Sequence, residues 1–245
     1  MMALSVYNML RDQSQILPDR LAADFAVRYD STRGYGPSMH GLLAEIAVMP
    51  WRWRALAGAQ FGGRGSFGNG AAMRVAPIGA YFADDLNKVV AQAELSAITT
   101  HTHPEAIAGA IAIAVGAAIA ANQSGDSAPT RAEFLGAVMT HVPDSEVRAR
   151  LRLARDMDES ASVRHAVAVL GNGVNISAQD TVPFSLWCAG ECLDSYEEAL
   201  WLTVSGLGDR DTTCAIVGGV VASNPVASGV PAEWSRRREP LPDWR

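Results

Sequence analysis

Cysteine is scarce in this chain: Cys188, Cys192 and Cys214 are the only three among 245 residues. They are too few, and odd in number, for a disulfide framework. No positively charged leader with an apolar stretch opens the sequence, so a reducing cytoplasm is the expected compartment. Cys188 and Cys192 stand one helical turn apart without the second pair that a zinc site needs, and they read as buried or half-buried thiols. Basic excess is missing too. Lys and Arg number 20 against 26 Asp and Glu, a formal charge of -6, which leaves no global field to hold a nucleic-acid backbone. The most apolar run, residues 106–121, is shorter than the roughly 18 to 20 residues of a membrane span. It is also dominated by Ala and Gly, and reads as a core helix whose small side chains admit close neighbours. Alternating strand patterns of useful length are hard to find, and β-branched residues fall mostly within helical windows.

What is present is globular composition, 49% hydrophobic and 19% charged, unlike the signature of disorder. The length fits one large domain. Apolar positions about one turn apart predict helices near residues 4–10 and 18–27, and over 86–95, 104–121, 131–139, 144–157, 196–204 and 211–222. The expected fold is all-α: one compact multi-helix domain over residues 1–234, followed by a tail, 235–245, whose Arg236, Arg237 and Arg238 form a solvated face. Connections are expected around Gly34, Gly36 and Pro37, through the glycine-rich 58–70 stretch, and over 171–180.

Three constellations could carry chemistry. Residues 61–70, Phe-Gly-Gly-Arg-Gly-Ser-Phe-Gly-Asn-Gly, precede an apolar segment. Glycines let backbone N–H groups surround an anion, Ser66 adds a hydroxyl, and Phe61 and Phe67 could stack on a base or sugar. Without a Walker pattern or a dinucleotide fingerprint, a flexible loop with packed aromatics explains the same residues. Residues 206–213, Gly-Leu-Gly-Asp-Arg-Asp-Thr-Thr, gather two carboxylates and hydroxyls at a helix start. Such hard oxygen donors suit Mg²⁺, whereas helix capping accounts for one acid but not for both. Residues 99–105 place His101 and His103 just before a helix opened by Pro104. Capping, contact with a ligand above that helix end, and a zinc pair short of a third ligand all stay open there.

In this order, the stretches 65–77, 100–106 and 206–213 resemble the ADP-ribosylglycohydrolase family. The Arg33-Gly-Tyr-Gly-Pro37 turn and residues 230–234 are similar to it as well. The resemblance covers nearly the whole chain and implies a compact all-helical domain with a binuclear Mg²⁺ centre at an ADP-ribose cleft. By that likeness Phe61, Gly65, Ser66, Phe67, Gly68, Asn69 and His101 would bind the substrate, and Asp209, Asp211 and Thr212 would hold metal. The family's Thr-Asp-Asp-Thr motif would lie before Met1, and Asp12 and Asp19 do not replace it. The expected form is therefore N-terminally truncated, with half of the metal site and no catalytic acid assignable within the chain. The implied function is hydrolysis of the bond joining ADP-ribose to a protein side chain or small molecule, with no nucleic-acid or membrane partner. A non-catalytic ADP-ribose binder and a structural protein on the same fold are the alternatives. Leu207, where glycine is common, and Arg210, where a small polar residue is usual, depart from the family pattern; Arg210 could face solvent or occupy a cation position.

Overall fold

A computed structural model describes residues 1–124 and 128–242. Among them are α1 (Met2–Gln13), α2 (Pro18–Val27), α3 (Pro37–Val48), α4 (Trp53–Gly63), α5 (Ala76–Tyr81), α6 (Leu86–Ile98) and α7 (Pro104–Ala121). These are followed by α8 (Arg131–Met139), α9 (Glu146–Asp156), α10 (Val163–Leu170), α11 (Ala178–Glu191), α12 (Tyr196–Ser205), α13 (Arg210–Val221) and α14 (Ala232–Arg237). Single 3-10 turns occupy Pro50–Arg52 and Ala72–Arg74. No strand occurs among the described residues, only two isolated bridges.

The helix starts follow local chemistry. Proline opens α2, α3 and α7, where its missing N–H leaves nothing unsatisfied. Asp85, Ser145, Ser162 and Ser195 cap α6, α9, α10 and α12 by accepting from the third helical N–H. Thr130 and Glu133 form a reciprocal capping box on α8.

The core is organised around α7, which packs against α5, α6, α8, α9, α11 and α13. Its alanines are buried on nearly every side, and small side chains let neighbours come close. A Cβ added at Gly79 of α5 would sit 2.0 Å from the Ala114 carbonyl oxygen. At 18 residues α7 is long and apolar enough to cross a membrane by length and composition, but its burial makes it the core helix that the sequence suggests. The second buried helix, α11, carries Pro183 in its interior and stacks Phe184 on Trp187 at 6.2 Å.

Several expectations need correction. Gly34 and Gly36 lie in the expected connection, between α2 and α3, and only Pro37 moves, to the first position of α3. The connection expected over 171–180 ends at Ser177, the residue before α11 begins at Ala178. The glycine-rich stretch starts inside α4, and the backbone leaves helical geometry from Gln60 onward, with positive φ at Phe61, Gly62, Gly63 and Gly65. Residues 235–241 are exposed, as expected of a surface tail, and Arg33 pairs with Glu239 there, while Trp234, just before them in α14, packs edge-on against Tyr196 and Trp201. Arg236 and Arg237 are exposed and pair with Glu233. Residues 243–245 lie outside the described residues.

Candidate functional site

Beyond α4 the chain enters the glycine-rich loop through Gly65, whose φ of 75° is left-handed. A Cβ there would lie 2.1 Å from Thr102 Oγ1, so only glycine fits. The buried Ser66 hydroxyl accepts from the Gly68 N–H at 3.2 Å. The loop is tied to a second segment, 171–178: Ala178 N–H donates to the Phe67 carbonyl at 2.9 Å, and Asn69 N–H to the Ile176 carbonyl at 3.3 Å. Phe67 lies between two rings, with Phe61 at 5.6 Å and His103 edge-on at 5.5 Å.

The turn between α6 and α7 brings His101 against this loop. A Cβ added at Gly70 would meet the imidazole Cε1 at 3.0 Å, so the missing side chain makes room for the ring. His101 Nδ1 lies 2.6 Å from Thr100 Oγ1. Burial, and then the charge of Arg74, push the His101 pKa down to about 3, which keeps the ring neutral at pH 7. His103 does something different: its Nδ1 accepts from the Glu105 N–H and caps α7. Among the described residues no group of three or more His, Cys, Asp or Glu side chains is placed to hold a metal ion, so the zinc reading of the histidine pair lacks its third ligand.

The acidic motif arrives from the other end of the chain. Leu207 and Gly208 have φ of 59° and 67°, and Asp209 N–H donates to the Asn172 carbonyl at 3.1 Å. Asp209 occupies the cap position of α13, but its carboxylate makes no capping bond. Instead Asn69 Nδ2 donates to Asp209 Oδ2 at 3.0 Å and to Thr181 Oγ1 at 3.0 Å. The Asp209 carboxylate is close enough to the Asp211 carboxylate and the Thr212 side chain for both to act on its ionisation. Burial first, and then the neighbouring Asp211, hold the Asp209 carboxyl above the usual range, while the bond from Asp209 lowers Asp211. Two close carboxylates and a hydroxyl are the donor chemistry of a hard cation. They supply part of a shell whose remaining oxygens would be water or ligand. Arg210 is exposed and forms no ion pair with either carboxylate.

The structure thus brings Phe61, Gly65, Ser66, Phe67, Gly68, Asn69 and His101 into one continuous arrangement with Asp209, Asp211 and Thr212. Sequence reasoning missed the clasp between them. Asn172, Ile176 and Thr181 join loop to acids, and the buried Asp180 carboxylate accepts from the Asn175 N–H at 2.8 Å to fix that segment. The available signal was the pair Gly171 and Gly173, both left-handed, in a stretch read only as a connection. Two surface cavities, about 230 Å³ by α1 and α2 and about 540 Å³ beside α6 and α7, contain none of the candidate residues.

Comparison with known proteins follows the same residues. The family model described as ADP-ribosylglycohydrolase matches residues 1–244. The chain is 30% identical over 254 residues to the human ADP-ribosylhydrolase ARH3, covering 89% of this chain and 68% of that protein. It is 38% identical over 169 residues to an uncharacterized protein of Archaeoglobus fulgidus, covering 67% of this chain and 51% of the relative. The Xenopus tropicalis ADP-ribosylhydrolase ARH3 is 26% identical, covering 99% of this chain and 77% of its own length. The chain therefore spans between about half and three quarters of these relatives.

Proposed function

Because the chain belongs to the ADP-ribosylglycohydrolase family, we propose that it binds ADP-ribose at this site and hydrolyses the glycosidic bond to an acceptor, a protein side chain or a small molecule. The observation that carries this reading is the 3.0 Å bond from Asn69 to Asp209, which unites an anion-binding loop with a pair of acids. Backbone N–H groups around Gly65, Ser66 and Gly68 would hold the diphosphate, and the Phe61 and Phe67 rings would flank the adenosine. In the tautomer in which Thr100 donates to Nδ1, the neutral His101 would present Nε2–H along the edge adjoining Gly68, a donor suited to phosphate or ribose oxygen. Asp209, Asp211 and Thr212 would hold Mg²⁺, which when bound supplies Lewis acidity and orients water at the ribose. Fixing the diphosphate some distance from the acids would hold the scissile bond against them, so that orientation contributes to the rate.

The test is release of ADP-ribose from an ADP-ribosylated peptide with Mg²⁺ present. The reading predicts release well above that of the Asp209→Ala/Asp211→Ala double variant, and equal rates would reject catalysis by this chain. Binding without turnover is a second reading, favoured by the lack of a three-acid group among the described residues. Calorimetry decides for it if ADP-ribose binds equally with and without Mg²⁺ and no release occurs.

A further inference from the structure

Arg74 follows the glycine-rich loop directly, at the end of the Ala72–Arg74 turn. It is 1% exposed, yet every partner it has is neutral. Nη2 donates to the Ser96 carbonyl at 2.7 Å and to Thr99 Oγ1 at 3.2 Å, Nη1 lies 3.6 Å from the Met2 sulfur, and the guanidinium sits 4.6 Å over the Phe25 ring. Its Nε has no partner. Among the described residues no carboxylate pairs with it. The contrast is Arg131, also buried but paired with Glu191. A buried cation without a counter-ion is costly, and its field is little weakened by solvent or salt. Burial lowers its pKa to about 9, so it remains charged at pH 7. The ring that senses this charge, His101, is the one packed against Gly68 and Gly70.

The whole chain carries a net charge of -6, so positive charge near the loop favours a diphosphate there in addition to the loop N–H groups and Mg²⁺. Arg64 lies in the loop but is exposed, its guanidinium turned to the Phe61 carbonyl, where water and salt screen it. We propose that Arg74 is a positioning residue acting by charge: held on Thr99, two residues before the His101 ring that packs on Gly68 and Gly70, it supplies a buried positive field that favours a diphosphate-bearing ligand without touching it. This rests on the ADP-ribose reading above.

The experiment is calorimetry with three probes, ADP-ribose, inorganic pyrophosphate and adenosine, in one Mg²⁺-containing buffer. The proteins are the natural chain, Arg74→Lys, Arg74→Met, Thr99→Asp and Thr99→Asn. Thr99→Asp places a carboxylate beside the guanidinium and cancels its field, and Thr99→Asn is the uncharged control of the same size. We expect Arg74→Met and Thr99→Asp to weaken ADP-ribose and pyrophosphate by about tenfold, with adenosine unchanged. Arg74→Lys and Thr99→Asn should stay within about threefold of the natural chain, less than a unit charge contributes at this range. If Arg74→Met does not fold, the Thr99 pair decides alone. Equal binding by Thr99→Asp and Thr99→Asn overturns the proposal, as does a loss that extends equally to adenosine. Failure of the natural chain to bind ADP-ribose overturns the functional reading itself, whereas intact binding that ignores the charge overturns only the role of Arg74.

Discussion

Backbone strain is concentrated where the chemistry is proposed. Of the four described non-glycine residues with left-handed φ, Phe61, Ile176 and Leu207 lie in the three segments that build the site, and Ser14 ends α1. Their side chains are 47%, 54% and 62% exposed, so packing offsets little of the strain, which costs about 1–2 kcal/mol per residue. Replacing Ile176 by glycine relieves it and adds chain entropy worth about 0.5–1 kcal/mol. Ile176→Gly should therefore melt at the same temperature or up to about 1 kcal/mol more stable in denaturant titration. A clear loss would reveal packing by that side chain. His101 yields a pH prediction. Its folded pKa lies below the ordinary value of 6.5, so its contribution is complete above 6.5 and is lost as pH falls toward about 3. Each pH unit in that window corresponds to about 1.4 kcal/mol. Between pH 6.5 and 5 the natural chain should lose roughly 2 kcal/mol more than His101→Gln, measured by urea unfolding at each pH. Ser66, Asn69, His101, Asp209 and Asp211 were singled out by the resemblance of their motifs to the family, since each motif alone also reads as a loop or a cap, and the structure places those segments side by side. Arg74 was not: a single arginine in an apolar run shows its burial only once α2 and α6 have packed around it.

Helices with a polar cap and one apolar stripe were legible, and α6, α8, α9, α12 and α13 lie within a few residues of their expected bounds. The helix α11 was not, for a physical reason: it is buried almost all round, so no polar face gives it a period, and Pro183 argues against a helix interior. A different link between elements escapes sequence reading as well. The Glu105 carboxylate, in the first turn of α7, accepts from the N–H groups of Glu146 and Val147 at 2.8 and 3.0 Å. One helix thereby caps the start of another, α9. Glu105→Ala should cost about 1–2 kcal/mol with an unchanged denaturant slope, and Glu105→Gln less. A neutral result would mean that water satisfies those two N–H groups equally well.

At the scale of the molecule, the site depends on residues that are far apart along the chain. Asn69 meets Thr181 and Asp209 across 112 and 140 positions, and helical periodicity carries no information about such pairs. The acid is part-exposed, so the Asn69–Asp209 bond should contribute about 1 kcal/mol. A double-mutant cycle with Asn69→Ala and Asp209→Ala should show that coupling in stability, and strictly additive losses would mean that the contact is idle. The same separation bears on biosynthesis. At a translation speed of about 5–20 residues per second, on the order of ten seconds or more pass between synthesis of Asn69 and that of its carboxylate partner. Throughout that interval the nascent polypeptide displays the glycine-rich segment with no acids opposite it. On the ADP-ribose reading proposed above, added ADP-ribose should protect the finished chain from proteolysis but not chains stalled on the ribosome before α13 emerges.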